Sequence, residues 1–199
     1  MSYRTGLIAL ASLVGTHAVA QECPNGQTAK VGYVLERQGS RAEIRPSAEN
    51  FVHALNTYPD GTKQDVIYYR GFFEVSRRDN VAHRFRVPLS DLRSIFPLDA
   101  KARRAVTYVP AEPTKVGTPV SLEITVTGQE TLRLGSCSYT VTIVRNRLVN
   151  GEGRTLSEHT DLYSPELGFV LGKRYEERGG RLTTVVYQNI RPLARAAPL

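Results

Sequence analysis

The chain has 199 residues, of which 41% are hydrophobic, and it carries 26 Lys and Arg against 19 Asp and Glu, for a net charge of +7. This length suits one domain with a substantial core. Beyond residue 20 no apolar run is long enough to cross a bilayer, so the composition excludes a helical membrane-spanning protein.

The first 20 residues have the features of a secretory signal peptide. Arg4 precedes an apolar run from Leu7 to Val14, and Ala18 and Ala20 supply the small residues that a signal peptidase requires. A membrane anchor would need about 20 apolar residues, and this run is much shorter. We therefore expect cleavage after Ala20 and export, with the periplasm as the destination. Export disfavours nucleic acid as a partner, and the chain contains no nucleic-acid-binding motif.

Two cysteines, Cys23 and Cys137, lie beyond the predicted cleavage site. An oxidising compartment would let them pair, and two free thiols are the alternative. A disulfide closing so long a loop would stabilise the fold by about 4–5 kcal/mol, chiefly by restricting the unfolded chain. Lipidation of Cys23 is disfavoured because Gln21 and Glu22, rather than a small residue, precede it. We predict the disulfide.

Alternation of apolar and polar residues with period two dominates the chain and predicts about eleven half-buried antiparallel strands. Residues 120–127 are the clearest case, with four apolar side chains on one face and polar ones on the other. Residues 182–190 are apolar on both faces, which predicts a central strand. The turn signals between strands are PDGT at 59–62, NGEG at 150–153 and RGG at 178–180.

Helix signals are sparse and predict a single short helix at residues 90–96. Ser90 is placed to cap it and Pro97 to end it. Residues 109–119 are rich in proline and indicate a connection, the nearest feature to an internal boundary. The predicted fold class is all-β: one domain at 21–192 with a strongly bent antiparallel sheet, a half-barrel or open barrel, covered by that helix. Residues 193–199 are expected to form a loose tail.

Aromatic residues crowd the run VIYYRGFFEV, in which Gly71 predicts a bulge or a close approach of two backbones. The excess positive charge lies nearby, since residues 70–104 contain nine basic and four acidic side chains. Two interpretations stay open for the aromatics, an apolar ligand cavity or ordinary core. The basic residues favour an anionic partner, and solubility is the alternative. The predicted cavity lining is Tyr68, Tyr69, Phe72 and Phe73, and the predicted basic rim is Arg77, Arg78, Arg84, Arg86, Arg103 and Arg104.

The stretch DLYSPELGFVLGKRY invites a catalytic interpretation, because Ser164 follows His159 and Asp161. Side chains two apart on one strand stand parallel, however, and do not form the relay of a triad. Ser164 is also not part of a G-x-S-x-G motif, whose strained turn exposes the nucleophilic serine in hydrolases. The pattern instead predicts a strand-turn-strand corner in which Ser164 accepts backbone hydrogen bonds, Gly168 takes a left-handed conformation and Glu166 is exposed.

Sites for metals, redox chemistry and cofactors are not predicted either. The histidines of the exported chain, His53, His83 and His159, have no local ligand pair. The glycines fall in hairpin turns rather than in a phosphate-binding loop, and C-x-x-C is absent. We therefore predict no catalytic residue, no metal and no cofactor.

Three segments resemble, in the same order, a group of uncharacterised exported proteobacterial proteins. They are FPLDAKARRAVTY, VTGQETLRLGSCSYTVTIV and LYSPELGFVLGKRYEERGG, and the likeness spans residues 96–190. The Y-x-PELG corner is its most specific element. The resemblance implies consecutive antiparallel strands in a bent sheet, similar in style to the half-barrels of periplasmic lipoprotein carriers. It implies no activity and no catalytic residues.

These observations predict a non-catalytic envelope protein with a binding or scaffold role. Its concave sheet face would take up a hydrophobic or amphipathic anionic ligand such as a lipid. One alternative is a structural or protein-interaction module of the periplasm. The other is a hydrolase of envelope components using Glu158, His159 or Glu166, which would require two of these side chains in one concave pocket.

Overall fold

A computed structural model describes residues 22–177 and 180–193. The predicted signal peptide, two residues of the RGG turn and residues 194–199 of the predicted tail lie outside the described residues. Within those ranges, no helix has the length and apolarity needed to span a bilayer. Two 3₁₀ helices occupy Thr28–Lys30 and Leu92–Ile95. The strands are β1 Tyr33–Arg37, β2 Ser40–Pro46, β3 Phe51–Thr57, β4 Lys63–Tyr69, β5 Phe73–Arg78, β6 His83–Pro88, β7 Arg103–Glu112, β8 Lys115–Val116, β9 Val120–Leu134, β10 Cys137–Asn150, β11 Thr155–Ser164, β12 Phe169–Glu176, β13 Leu182–Val186 and β14 Asn189–Pro192.

The described strands form one antiparallel sheet that is not closed, so the all-β prediction is confirmed. Its order is β13-β12-β11-β10-β9-β7-β6-β5-β4-β3-β2-β1-β14, and β8 pairs only with β7. Most neighbours in this order are neighbours in sequence, because tight turns connect them. The predicted turns at 59–62 and 150–153 join β3 to β4 and β10 to β11, and the RGG segment stands between the paired strands β12 and β13.

The buried side chains form two clusters that use opposite faces of β10. Tyr139 and Val141 belong to the first core, whereas Val144 belongs to the second. The pairing of β9 with β10 shifts by one residue between Ile143 and Val144, where the strands pass from one core to the other. The sheet therefore folds around two separate interiors. The first core is built mainly from β1–β4 and β10–β12, and the second from β7, the first half of β9, the turn after β4 and the 92–95 helix.

The alternation in residues 120–127 predicts the buried face of β9 correctly. Val120, Leu122, Ile124 and Val126 are all buried in the second core, and the intervening side chains face outward. The prediction of a central strand at 182–190 is wrong. The segment forms two strands at the opposite ends of the sheet order, and Leu182 of β13 is exposed.

The chain between β13 and β14 forms a seam that connects the two edges of the sheet. Tyr187 donates its backbone N–H to Leu171 O of β12 at 3.4 Å, and Gln188 donates to Glu36 O of β1 at 2.8 Å. β14 then pairs with β1. The first core is thus enclosed on this side by two consecutive strands that belong to opposite edges.

The predicted helix at 90–96 is a single 3₁₀ turn, Leu92–Ile95. Asp91 caps it instead of Ser90, because its carboxylate accepts from Arg93 N at 2.9 Å. The Ser90 hydroxyl instead accepts from Thr107 N of β7 at 3.0 Å. The turn still inserts Ile95, fully buried, into the second core.

The proline-rich segment 109–119 is part of the sheet rather than a boundary. β7 continues to Glu112, and β8 folds back on it with Ala111 opposite Val116. Pro110 is tolerated because this part of β7 lies near the rim of the sheet, where β8 contributes only two residues.

The predicted disulfide between Cys23 and Cys137 is confirmed, with a Cα–Cα distance of 5.6 Å. It attaches the segment before β1 to the start of β10. The Tyr139 hydroxyl strengthens this attachment by donating to Pro24 O at 2.9 Å.

Candidate functional site

A partly open cavity of about 390 Å³ lies beside the seam, at one end of the first core. This volume falls within the range of small-molecule sites. The β1–β2 hairpin, β3 and β4 form one wall, and β12 and β13 form the other. The apolar part of its lining is Ala42, Pro59, Tyr68, Phe72, Phe169, Val170, Gly172, Val185, Val186 and Tyr187.

The four aromatic residues of the VIYYRGFFEV run divide between the cavity and the second core. Tyr68 lines the cavity, and its ring meets that of Phe169 edge to face at 5.4 Å. Phe72 also lines the cavity while packing in the second core. Tyr69 and Phe73 point only into the second core. Two of the four predicted lining residues therefore lie at this cavity, and the other two belong to the second core.

Three basic residues, Arg37, Arg41 and Lys173, contribute to the lining. Arg41 pairs with Glu43 at 2.7 Å, and Lys173 pairs with Asp161 at 2.5 Å. Arg37 has no carboxylate partner among the described residues. Its guanidinium is therefore the cation at this cavity that remains available to a bound anion.

Lys173 is held by a buried polar cluster centred on Asp161 of β11. The Asp161 carboxylate accepts from Asn146 Nδ2 at 3.0 Å and lies 3.4 Å from His159 Nε2. Burial by itself would raise the pKa of Asp161, but the Lys173 ammonium and the contact with His159 outweigh it, so the pKa lies below its ordinary value. Asp161 is therefore ionised at neutral pH and holds the Lys173 ammonium in an ion pair.

The two phenols at the cavity are neutral at neutral pH. Burial raises the pKa of Tyr187 to about 12, and burial followed by the Glu74 carboxylate raises the pKa of Tyr68 further above its ordinary value. Neither hydroxyl therefore adds negative charge that would repel an anionic ligand.

The structure places the predicted basic rim away from this cavity, in separate parts of the sheet. Arg77, Arg84 and Arg86 line a cleft between β5, β6, β7 and β8, and Arg103 and Arg104 line a groove on β7, β9 and β10. Arg78 lies on β5 at 3.6 Å from Asp65. The basic residues that line the apolar cavity are instead Arg37, Arg41 and Lys173.

The SPELG segment is a turn, as predicted. Ser164 is fully buried, and its hydroxyl accepts from Leu167 N at 3.2 Å while its carbonyl accepts from Gly168 N at 2.9 Å. Gly168 has a φ of +62°, and Glu166 is exposed. The Tyr33 hydroxyl fixes the turn from β1 by donating to Leu167 O at 3.3 Å.

The structure does not gather the candidate hydrolase residues in one concave pocket. Glu158 pairs with Arg145 at 2.5 Å. His159 contacts Asp161 on the other face of β11, and Glu166 lies on the SPELG turn. None of these three side chains lines the cavity, the cleft or the groove described above.

The three histidines in the described part of the chain lie on separate strands. His53 contacts Asp65 at 2.9 Å, and His83 contacts the Ser76 hydroxyl at 3.0 Å. Across residues 22–177 and 180–193, no group of three or more His, Cys, Asp or Glu side chains is arranged to hold a metal ion.

Sequence reasoning missed Arg37, Arg41 and Lys173. A local signal existed for the first two, because they flank the turn sequence QGS and Gly39 has a φ of +78°. No local pattern indicates that this hairpin faces β12 and β13, which are more than a hundred residues further along the chain.

Comparison with known structures shows a similar fold in the hypothetical lipoprotein YmcC from Escherichia coli (K12). The TM-score is 0.51, with 13% identical residues, and the match covers 96% of this chain and 100% of that chain. No protein-family model and no curated protein sequence matches the chain. At this identity the likeness shows the fold alone. The resemblance based on the Y-x-PELG corner thus agrees with the fold of a bacterial lipoprotein, and its motif has no support from a family model.

Proposed function

We propose that the protein is a non-catalytic, exported envelope protein that binds an amphipathic anionic ligand in the cavity beside the seam. The apolar part of the ligand lies against Tyr68, Phe72 and Phe169, and its anionic head pairs with Arg37. The observation that carries the proposal is that one cavity is lined by apolar residues and by Arg37, which has no carboxylate partner among the described residues. A charge-assisted hydrogen bond at such a position fixes the orientation of the ligand.

Two observations support the envelope location. The disulfide between Cys23 and Cys137 is a feature of oxidising compartments. The structural neighbour from E. coli is described as a lipoprotein. In this chain Cys23 is engaged in the disulfide, so an attachment through a lipidated Cys23 is not part of the proposal.

The test compares three ligands that share one alkyl chain and differ in the charge of the head: dodecanoate, dodecanol and dodecylammonium. We expect isothermal titration calorimetry, below the concentrations at which they aggregate, to show dodecanoate binding about tenfold more tightly than dodecanol. Dodecylammonium should bind most weakly, because Arg37 repels it.

Two variants locate the site. Arg37→Gln should abolish the preference for dodecanoate over dodecanol, and Val185→Trp, on the edge strand β13, should fill the cavity and weaken all three ligands. Arg154→Gln is the matched control, since it removes the same charge from an exposed turn. Equal affinities for the three ligands, or no binding at all, would refute the proposal and favour a structural or protein-interaction module.

A further inference from the structure

A second cleft, with a volume of about 460 Å³, lies between β5, β6, β7 and β8. Four basic and two acidic side chains line it, together with Phe85, Tyr108 and Pro110. The proposed amphiphile does not occupy this cleft, which is separate from the cavity beside the seam. The charged lining residues are Arg77, Arg84, Arg86, Lys115, Glu74 and Glu112.

One carboxylate, that of Glu74, is shared by two arginines. Glu74 forms an ion pair with Arg77 and lies 3.3 Å from Arg86 Nη2, and its side chain is only 13% exposed. A single carboxylate neutralises only one of the two guanidinium charges. An excess positive charge in a partly buried position is unfavourable unless an anion compensates it.

The two guanidinium groups are held in fixed positions. Arg86 lies over the rings of Phe73 and Tyr108, with its Cζ 5.9 Å and 5.5 Å from the two ring centroids. This stacking orients the planar fork of the guanidinium before any ligand arrives. The Nε of Arg77 is buried and has no hydrogen-bond partner among the described residues.

The rim of the cleft adds further positive charge. The Nε atom of Arg84, on β6, lies 3.6 Å from the Oε1 atom of Glu112. Both side chains are about half exposed. Lys115, on the short strand β8, forms no ion pair with a described residue and is exposed. The four basic groups therefore exceed the two acidic groups by two charges, which matches the charge of a phosphate monoester.

We propose that this cleft, the Glu74 cleft, binds a phosphate group, with Arg86 as the oriented guanidinium and Arg84 and Lys115 as the exposed rim. Guanidinium groups bind phosphate oxygens in bidentate fashion, and the excess of two charges compensates the dianion. The phosphate can belong to a small soluble molecule or to a lipid headgroup, because the same chemistry recognises both.

The test uses the full exported chain and measures binding of inorganic phosphate by isothermal titration calorimetry at constant ionic strength, with chloride as the reference anion. We expect Arg84→Gln/Lys115→Gln, which changes only exposed side chains, to weaken phosphate binding about tenfold or more. Glu74→Gln should strengthen it, because the competing carboxylate is neutralised. Arg154→Gln is the matched control and should leave it unchanged.

A flotation assay distinguishes a lipid headgroup from a soluble phosphate as the ligand. It compares phosphatidylcholine vesicles that contain phosphatidic acid with pure phosphatidylcholine vesicles. Retention only on the phosphatidic acid vesicles, lost in Arg84→Gln/Lys115→Gln, identifies a headgroup, and phosphate binding without retention identifies a soluble phosphate. Absence of both overturns the proposal, as does phosphate binding that the double variant leaves intact. If Glu74→Gln does not fold, the double variant decides alone. Dodecanoate binding through Arg37 is unaffected by either outcome.

Discussion

Gly71 and Gly168 meet so closely that a Cβ atom on Gly71 would stand 1.9 Å from the carbonyl oxygen of Gly168. Gly71 lies in the turn between β4 and β5, and Gly168 ends the SPELG turn between β11 and β12. The Tyr163 hydroxyl adds a hydrogen bond across the same contact by donating to Arg70 O at 3.2 Å. The contact joins distant parts of the chain where the two cores meet, and it confirms the close backbone approach predicted for Gly71.

This contact predicts different effects for two alanine substitutions with the same backbone conformation. Both glycines have a φ of +62°, but a Cβ on Gly168 would meet no atom within 4 Å. Gly168→Ala should therefore lower the free energy of unfolding by about 1 kcal/mol, the cost of the left-handed conformation. Gly71→Ala adds a clash with backbone and should cost at least about 3 kcal/mol. Urea denaturation measures both, and equal losses would contradict the contact.

Reduction of the disulfide should destabilise the fold strongly. The bond closes a loop across a separation of 114 residues, so its loss should lower the free energy of unfolding by about 4–5 kcal/mol. Thermal denaturation with and without a phosphine reductant measures the effect. Cys23→Ser/Cys137→Ser should match the reduced protein and show no response to reductant, and a response in this variant would point to an effect unrelated to the bond.

Removing Lys173 should leave a buried carboxylate without its main partner. The side chain of Asp161 is 5% exposed and that of Lys173 is 39% exposed. Lys173→Met should therefore lower the free energy of unfolding by about 3 kcal/mol, less than for a fully buried pair. Asp161→Asn/Lys173→Met should recover part of this loss, because no charge remains buried. A double variant less stable than Lys173→Met would show that the charge is not the cause.

The lowered pKa of Asp161 also predicts a dependence on pH. Its folded pKa lies below the unfolded value of about 3.9, so its ionisation stabilises the fold fully above that value, and the stabilisation is lost as the pH falls through the folded pKa. The unmodified protein should therefore lose more stability than Asp161→Asn between about pH 5 and about pH 2. Chemical denaturation across this range tests the difference, and parallel curves would assign the acid sensitivity to other carboxylates.

Alanine substitutions at a further pair of glycines test whether close packing of Val186, on β13, against β12 shapes the cavity. A Cβ on Gly172 would lie 2.6 Å from Val186 Cγ1, whereas a Cβ on Gly128 would meet only Ile143 Cδ1 at 3.9 Å. Gly172→Ala should displace Val186, cost about 1–3 kcal/mol and change dodecanoate affinity. Gly128→Ala should be neutral or slightly stabilising, because it only restricts the unfolded chain. Calorimetry with dodecanoate and urea denaturation provide the two readouts.

Local patterns predict the parts of this fold in which one face of a strand is buried and a turn has its own chemistry. Alternation identifies the buried face of β9, and the serine, proline and glycine of the SPELG segment identify its turn, because these signals reside in adjacent residues. The disulfide is predictable because the expected compartment is oxidising and only two cysteines follow the predicted signal peptide.

Signals that depend on distant partners are not readable from the sequence in this way. Residues 182–190 read as one central strand because both of their faces are apolar, but Tyr187 and Gln188 divide them between two edges of the sheet. The helix expected at 90–96 is one turn that starts at Leu92, because Ser90 is engaged by Thr107 of the distant strand β7 and Asp91 provides the cap.

The seam also makes the complete pairing of β1 depend on a strand near the other end of the domain. β1 pairs with β2 on one side and with β14 on the other. The β1–β2 hairpin therefore has one unpaired edge until Asn189 and the residues after it have been added to the chain. Contacts between such remote segments impose a large loop-closure entropy and slow the folding reaction. A chain that ends before Asn189 would keep β1 as a free sheet edge, the kind of surface through which strands of different molecules associate.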